Sequence, residues 1–320
     1  MQGVIAAVPT PLSEHYEPVC APFIAHCRWL LANGCDGLNI LGSTGEANLF
    51  DGDTRRTVMR WAAEDLPRER LMVGTGTPSL METIHLTRHA ATLGYPIALV
   101  LPPYYYKPLS DDGLVAWYLA LHEALGDSAI EIYFYNYPQM TGITITAEVI
   151  ARLRQHAPAR FTGIKDSSGD LAYCRALATC FEGFAVYPSS EVSLGEALAS
   201  GFAGCISATT NQTSAQSAKV WRDRHAPARS DLDEISAIRG AIAGPALVAS
   251  VKSLVAERTG DPVWTRVMPP FVSLNDEQRA VLVNNVRRLT LGDVDAGIVH
   301  RSGDVLRSQG ISGHGARGLM

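Results

Sequence analysis

Eight short apolar runs recur along the first 207 residues, and each gives way to a longer amphipathic stretch. They are GVIAAV (3–8), GLNILG (37–42), RLMVGTG (70–76), PIALVLP (96–102), AIEIYFYN (129–136), RFTGIK (160–165), GFAVYP (183–188) and GFAGCIS (201–207). All are nearly uncharged and rich in β-branched or aromatic side chains, the pattern of strands buried on both faces. The segments between them carry helical period. VCAPFIAHCRWLLANG ends on Asn33-Gly34, a helix stop, and DGDTRRTVMRWAAEDL opens on Asp51 and Asp53, good helix starters. PSLMETIHLTRHAATLG, SDDGLVAWYLALHEALG, TAEVIARLRQHA, LAYCRALATCF, EVSLGEALASG and NQTSAQSAKVWRDRHA complete the series. Strands alternating with helices need crossover connections, and hence parallel pairing. Units of about 28 residues over residues 1–225 predict an α/β fold, a closed (β/α)8 TIM barrel. An open doubly wound sheet is the competitor, but no Gly-rich dinucleotide fingerprint follows the first strand.

After His225 the alternation stops. Residues 226–299 hold two helical patterns with no strand between them, and read as a C-terminal helical region packed on the barrel. Residues 300–320, HRSGDVLRSQGISGHGARGLM, are rich in Gly and Ser and read as a weakly structured tail without an assigned role.

A net charge of −5 gives no basic field for nucleic acid or an anionic membrane. No apolar run approaches the roughly 18 residues that a membrane span needs. The start, MQGVIAAVPTPL, lacks the basic residues and cleavage site of a secretory signal. Six cysteines, at positions 20, 27, 35, 174, 180 and 205, form no CxxC pair and read as reduced residues of a cytoplasmic protein.

Barrel enzymes work at the C-terminal ends of their strands. Those ends here carry GSTGE (42–46), PPYYYKP (102–108), YNYP (135–138), Lys165, PSSE (188–191) and CISATTN (205–211). Of 27 basic residues only four are lysine, and only Lys165 finishes an apolar strand; Lys219 and Lys252 fall in helical runs, where an exposed amine is expected. Burial disfavours an ammonium, and a neutral amine attacks a carbonyl to give a Schiff base. The structural alternative is an ion pair of Lys165 with Asp166 or Glu46. Tyr135 ends the neighbouring strand, about 5 Å away, and could move protons for a carbinolamine or pack as a core phenol. The hydroxyls and N–H groups of GSTGE could hold a small carboxylate. Tyr104, Tyr105 and Tyr106 suit packing or a subunit contact.

GSTGE, YNYPQMTG and GIKDSSGD, in this order and spacing, together resemble the dihydrodipicolinate synthase and N-acetylneuraminate lyase family over about residues 2–290. The resemblance implies a homotetramer, a dimer of dimers, of (β/α)8 barrels with no metal and no organic cofactor. It implies that Lys165 forms an imine with pyruvate or another 2-oxo acid and that Tyr135 is the general acid/base. Ser43 and Thr44 would bind the 2-oxo acid carboxylate, and Thr44 would join the proton relay. Tyr105 would be a second relay tyrosine, supplied across a subunit interface, and Ile206 a backbone contact near the imine. The reaction it implies is cleavage or formation of a carbon–carbon bond next to pyruvate.

Two positions depart from the synthase pattern. Met140 stands where synthases carry an arginine for the aldehyde's carboxylate, and methionine cannot make a bidentate pair. PSSE, with Ser189, replaces the usual GxD. Both suggest a different second substrate, and YNYP with a non-arginine at 140 and GIKDS is similar to sugar-acid aldolases of the 2-oxo-3-deoxygluconate type, which implies action on a 2-oxo-3-deoxy sugar acid rather than on sialic acid. The alternatives are the synthase proper, a 2-oxo-acid dehydratase, or a non-catalytic 2-oxo-acid binding protein on the same barrel. A metal-dependent barrel is a further rival, through His85 and His89 four apart on one helix, but these fall on an outer helix rather than at a strand end.

Overall fold

The computed structural model describes residues 1–291. The tail at 300–320 and the last residues of the predicted helical region lie outside them. Eight parallel strands form one sheet in the order β7-β6-β5-β4-β3-β2-β1-β8. They are β1 (Gly3–Ala7), β2 (Gly37–Ile40), β3 (Leu71–Gly74), β4 (Ile97–Val100), β5 (Glu131–Asn136), β6 (Phe161–Asp166), β7 (Ala185–Pro188) and β8 (Gly204–Ser207). Between β7 and β8 the Ala203 N–H donates to Val186 O at 2.9 Å, so the sheet is a nearly closed TIM barrel.

The helices between strands are α1 (Cys20–Ala32), α2 (Gly52–Asp65), α3 (Leu80–Thr92), α4 (Asp111–Leu125), the single turn α5 (Pro138–Thr141), α6 (Ala147–His156), α7 (Leu171–Cys180), the single turn α8 (Ala197–Ser200) and α9 (Thr210–Arg222). Their starts follow from local chemistry. Asp51, Ser79, Ser110, Thr146 and Asp170 each accept a hydrogen bond from an N–H in the first turn of the helix that follows. Alternation along the strands sorts the side chains into two cores. Val4, Ala6, Leu38 and Ile40 pack outward under the helices. Ile5, Met72, Leu99, Tyr133, Tyr135, Tyr187 and Ile206 fill the barrel.

One helix is not as expected. EVSLGEALASG forms a 3-10 segment, Glu191–Glu196, before the turn α8. Gly195 backs onto Leu232, and a Cβ there would lie 2.6 Å from its Cδ1. The Glu191 side chain also turns inward, fully buried, rather than outward from a helix.

Beyond the barrel stand α10 (Arg229–Ile242), α11 (Leu247–Thr259) and α12 (Asp276–Leu291), joined by a core of Ile238, Ile242, Val251, Leu254, Leu282, Val283 and Val286. No single described helix is long and apolar enough to cross a membrane. α11 is buried from Val248 to Ala256, which overturns the exposed position expected of Lys252. Its side chain is 0% exposed, and Nζ lies 2.6 Å from Glu46 Oε2. That pair fastens the C-terminal helices to the loop after β2.

Candidate active site

A cavity of about 610 Å³ opens at the C-terminal ends of the strands. Ser43, Thr44, Tyr135, Met140, Lys165, Ser189 and Ile206 all line it, although they come from five strand ends and the turn α5. The C-terminal region completes the wall with Arg239, Pro245, Val248 and Phe271.

Lys165 and Tyr135 are register partners on β6 and β5, so both side chains face the barrel. Gly163, two residues before Lys165, leaves room beneath it: a Cβ there would stand 2.8 Å from the Tyr133 ring. Lys165 is 4% exposed, and its Nζ sits 4.5 Å from the centroid of the Tyr135 ring. Among the described residues it has neither an ion pair nor a hydrogen bond. The two carboxylates proposed for it are taken. Asp166 accepts from Asn136 Nδ2 at 2.6 Å and from Ser168 Oγ at 2.7 Å. Glu46 accepts from Lys252 and, at 2.6 Å, from the Met268 N–H. On the other flank the register partner is Tyr187. Burial pushes its phenol well above the ordinary tyrosine value, so it stays neutral and is no counter-ion. The amine is therefore buried, without a carboxylate or hydrogen-bond partner among the described residues, and it lines the cavity.

The GSTGE loop is held under strain. Leu41, just before it, and Glu46, its last residue, have φ of 54° and 60°, a left-handed conformation that costs a non-glycine residue about 1–2 kcal/mol. Three contacts hold it there: the Glu46 bonds to Lys252 and Met268, and a Thr10 hydroxyl that donates to Gly45 O at 2.8 Å. Below it Gly74 permits the close approach of β3, since a Cβ would meet Leu41 O at 2.1 Å. The loop presents the Ser43 hydroxyl 3.3 Å from the Tyr135 hydroxyl. Thr44, 6% exposed, lines the cavity but makes no hydrogen bond to that phenol. The hydroxyl contact with the Tyr135 phenol is made by Ser43.

Glu46 and Lys252 form a coupled buried pair. Burial raises the Glu46 carboxyl and lowers the Lys252 ammonium, each opposed by the other's charge. Desolvation by burial is the main cause on both sides.

Ile206 is fully buried at the end of β8, and Ser189 lies just after β7. Met140 is 61% exposed at the rim, so its side chain is free to meet a bound partner. Tyr105 is not brought to this cavity by its own chain. It is 71% exposed and packs edge-on against Tyr106, with ring centroids 5.1 Å apart. His85 and His89 stay on α3, where His85 faces Glu82 at 3.9 Å and His89 meets the Arg56 carbonyl at 3.3 Å.

Three site features escaped the sequence reading. Asn136 bridges the strand ends, since its Oδ1 accepts from Ile145 N at 3.0 Å while its Nδ2 donates to Asp166. Glu191 and Arg239 form a buried network behind Ser207 and Thr209. The Asn in YNYP was a usable signal; Arg239, on a helix with no strand beside it, offered none. A second cavity, of about 620 Å³, lies at the N-terminal ends of β5–β8 and is lined by Met1, Glu131, Phe184, Trp221 and Arg224. It contains none of the residues singled out for chemistry.

A buried amine beside a phenol and a hydroxyl-bearing loop, at the mouth of a (β/α)8 barrel, is the setting of an aldolase-type lyase. The family model of the dihydrodipicolinate synthetase family matches residues 1–289, and the chain belongs to that family. An uncharacterized DapA-like lyase of Chloroflexus aurantiacus is 30% identical over 298 residues, covering 91% of this chain and 98% of that protein. A 4-hydroxy-tetrahydrodipicolinate synthase of Rhodospirillum centenum is 32% identical over 296 residues, covering 88% and 97%. Among solved structures, YagE, a prophage protein of the dihydrodipicolinic acid synthase family from E. coli K12 in complex with pyruvate, superposes with a TM-score of 0.82 at 27% identity, covering 91% of this chain and 99% of that one.

Proposed function

We propose that Lys165 forms an imine with pyruvate or another 2-oxo acid, and that the enzyme makes or cleaves the adjacent carbon–carbon bond of a 2-oxo-3-deoxy sugar acid. One observation carries this reading: an amine 4% exposed, over the ring of Tyr135, with no carboxylate partner among the described residues. The amine adds to the ketone, and loss of water leaves an iminium. In cleavage the electrons of the C3–C4 bond flow into the iminium to give an enamine, while the C4 hydroxyl passes its proton to the Tyr135 phenolate, left when that phenol protonated the departing water, and the aldehyde departs. Protonation of the enamine and hydrolysis return pyruvate and the free lysine. The iminium supplies charge stabilisation where charge develops, and the cavity supplies orientation.

Ser43 and Thr44 hold the carboxylate of the 2-oxo acid. Ser43 also touches the Tyr135 hydroxyl at 3.3 Å, which suits a proton relay. Ile206 provides a backbone contact close to the imine. Tyr105 enters the relay from a neighbouring subunit of a homotetramer, and the exposure of Tyr105, Tyr106, Leu49 and Met81 supports a subunit contact. The binding of pyruvate to YagE supports the choice of 2-oxo acid. The enzyme works in the cytoplasm, a reading supported by six free cysteines.

Met140 and Ser189 set the second substrate. A thioether cannot pair with a carboxylate as a guanidinium does, so aspartate semialdehyde finds no anchor at 140. The test is turnover of pyruvate with aspartate semialdehyde, set against cleavage of 2-oxo-3-deoxy sugar acids. Faster turnover of the sugar acids is expected. A clear preference for aspartate semialdehyde would mean that the chain is a synthase proper, and release of water from the sugar acid without pyruvate would make it a dehydratase.

A further inference from the structure

The cavity wall holds a cation for which the imine chemistry has no use. Arg239, on α10, reaches over from the C-terminal region. A single nitrogen, Nη1, makes all its hydrogen bonds: to Glu191 Oε2 at 3.0 Å, Ser207 Oγ at 3.1 Å and Thr209 Oγ1 at 2.7 Å. Nε and Nη2 donate to nothing among the described residues, and neither is sealed from solvent. The side chain is 27% exposed, and it lines the same cavity as Lys165.

The anchor is rigid. Glu191 is 0% exposed and accepts from Ser207 at 2.6 Å, Thr209 at 2.6 Å and Thr213 at 2.9 Å. A satisfied buried network of this kind fixes its members. The guanidinium is planar, so fixing one edge aims the other. An open guanidinium edge matches a carboxylate with two parallel N–H···O bonds. Of the charged residues that line the cavity, Glu46 is tied to Lys252, Lys165 is the imine nitrogen, and Arg239 is paired on one edge with the buried Glu191. The open edge offers a carboxylate its two N–H groups, and a phosphate would meet no further cation among the described lining residues.

We infer that Arg239 is the specificity-determining residue of the second subsite. Its open edge takes a carboxylate on the aldehyde half, so the condensed substrate is a 2-oxo-3-deoxy sugar diacid. This inference rests on pyruvate being bound at Lys165. It also explains how a chain with methionine at 140 handles an acidic partner from another element. Arg239 makes and breaks no bond: the aldehyde carbon still joins C3 of the enamine, and Tyr135 still protonates the new alkoxide.

The test uses two matched aldehydes, tartronate semialdehyde and glyceraldehyde, which differ by a carboxylate against a hydroxymethyl group. Glyceraldehyde 3-phosphate is the third arm. Each is condensed with pyruvate by the wild-type enzyme, R239M and R239K. The wild type is expected to prefer tartronate semialdehyde by about 100-fold in kcat/KM, the scale of a charge-assisted bidentate pair. R239M should erase that preference by lowering the tartronate semialdehyde rate far more than the glyceraldehyde rate, and R239K should keep part of it. The double variant E191Q/R239M, which leaves no orphaned carboxylate, gives the same readout should R239M fold poorly. Borohydride trapping of pyruvate on Lys165 accompanies every assay. An adduct without any preference for the carboxylated aldehyde, an equal loss on both aldehydes in R239M, or a preference for the phosphate overturns the inference alone. Absence of the adduct overturns the imine reading and this inference with it.

Discussion

Two lysines are buried in this protein, and their surroundings are opposite. Lys252 lies on α11 with Nζ 2.6 Å from Glu46, both side chains at 0% exposure. Lys165 ends β6 with its amine over a tyrosine ring and no carboxylate in reach. Both are desolvated, but only one is compensated. A buried ion pair holds parts of a fold in place, whereas an unpaired amine beside an accessible cavity is free to react. The two are joined through one loop: Glu46 secures the same GSTGE segment that presents Ser43 to Tyr135. The paired lysine thus secures the loop that lies beside the unpaired one.

The comparison breaks most readily at Lys165. Lys165→Ala is expected to lower kcat by roughly 10³-fold or more, as removal of a covalent nucleophile does. Its urea midpoint should hold or rise, because a desolvated amine is lost. Lys252→Met should do the reverse. It leaves Glu46 buried and unpaired, a loss of about 3–5 kcal/mol in urea unfolding. Lys252→Met/Glu46→Gln should recover part of that loss, and an unchanged stability in the single variant would show the pair to be idle. Tyr135→Phe sharpens the chemical side. A fall of about 10²–10⁴-fold in kcat is expected for loss of a general acid/base, with the Lys165 adduct still forming slowly.

The smallest effect concerns a buried imidazole, His26, packed against Trp264 and hydrogen-bonded to Asn211 at 2.8 Å. Burial lowers its pKa from 6.5 to about 3. Between those values the unfolded chain binds a proton that the folded one refuses, so stability falls as pH drops, by up to about 1.4 kcal/mol per pH unit. Urea midpoints measured from pH 7 to pH 4 should show this slope in the wild type and a shallower one in His26→Gln.

The sequence made the strand ends readable because they obey a local rule. An apolar run with a cation or phenol as its last inward residue marks Lys165 and Tyr135 without any knowledge of the rest of the chain. Register then did the remaining work, since neighbouring strand ends in a barrel must meet. Lys252 obeyed no such rule. On a helical run it reads as solvated, and its partner lies 206 residues away, so only packing of α11 against the barrel mouth decides its burial. Arg239 was invisible for the same reason. The segment after β7 misled in another way. EVSLGEAL has helical period, yet the buried demands of Glu191 and the tight contact of Gly195 with Leu232 outweigh propensity. Which hydroxyl of GSTGE meets the Tyr135 phenol was equally beyond reach, since the choice between 43 and 44 depends on the conformation of the loop.

The central claim is that the amine of Lys165 captures a ketone while that of Lys252 does not. It is tested most directly by adding pyruvate and borohydride to the intact enzyme and locating the reduced adduct by peptide mass spectrometry. The account predicts one pyruvyl group per chain, on the peptide that holds Lys165, and none on Lys252. An unlabelled Lys165, or label spread evenly over the four lysines, would contradict it.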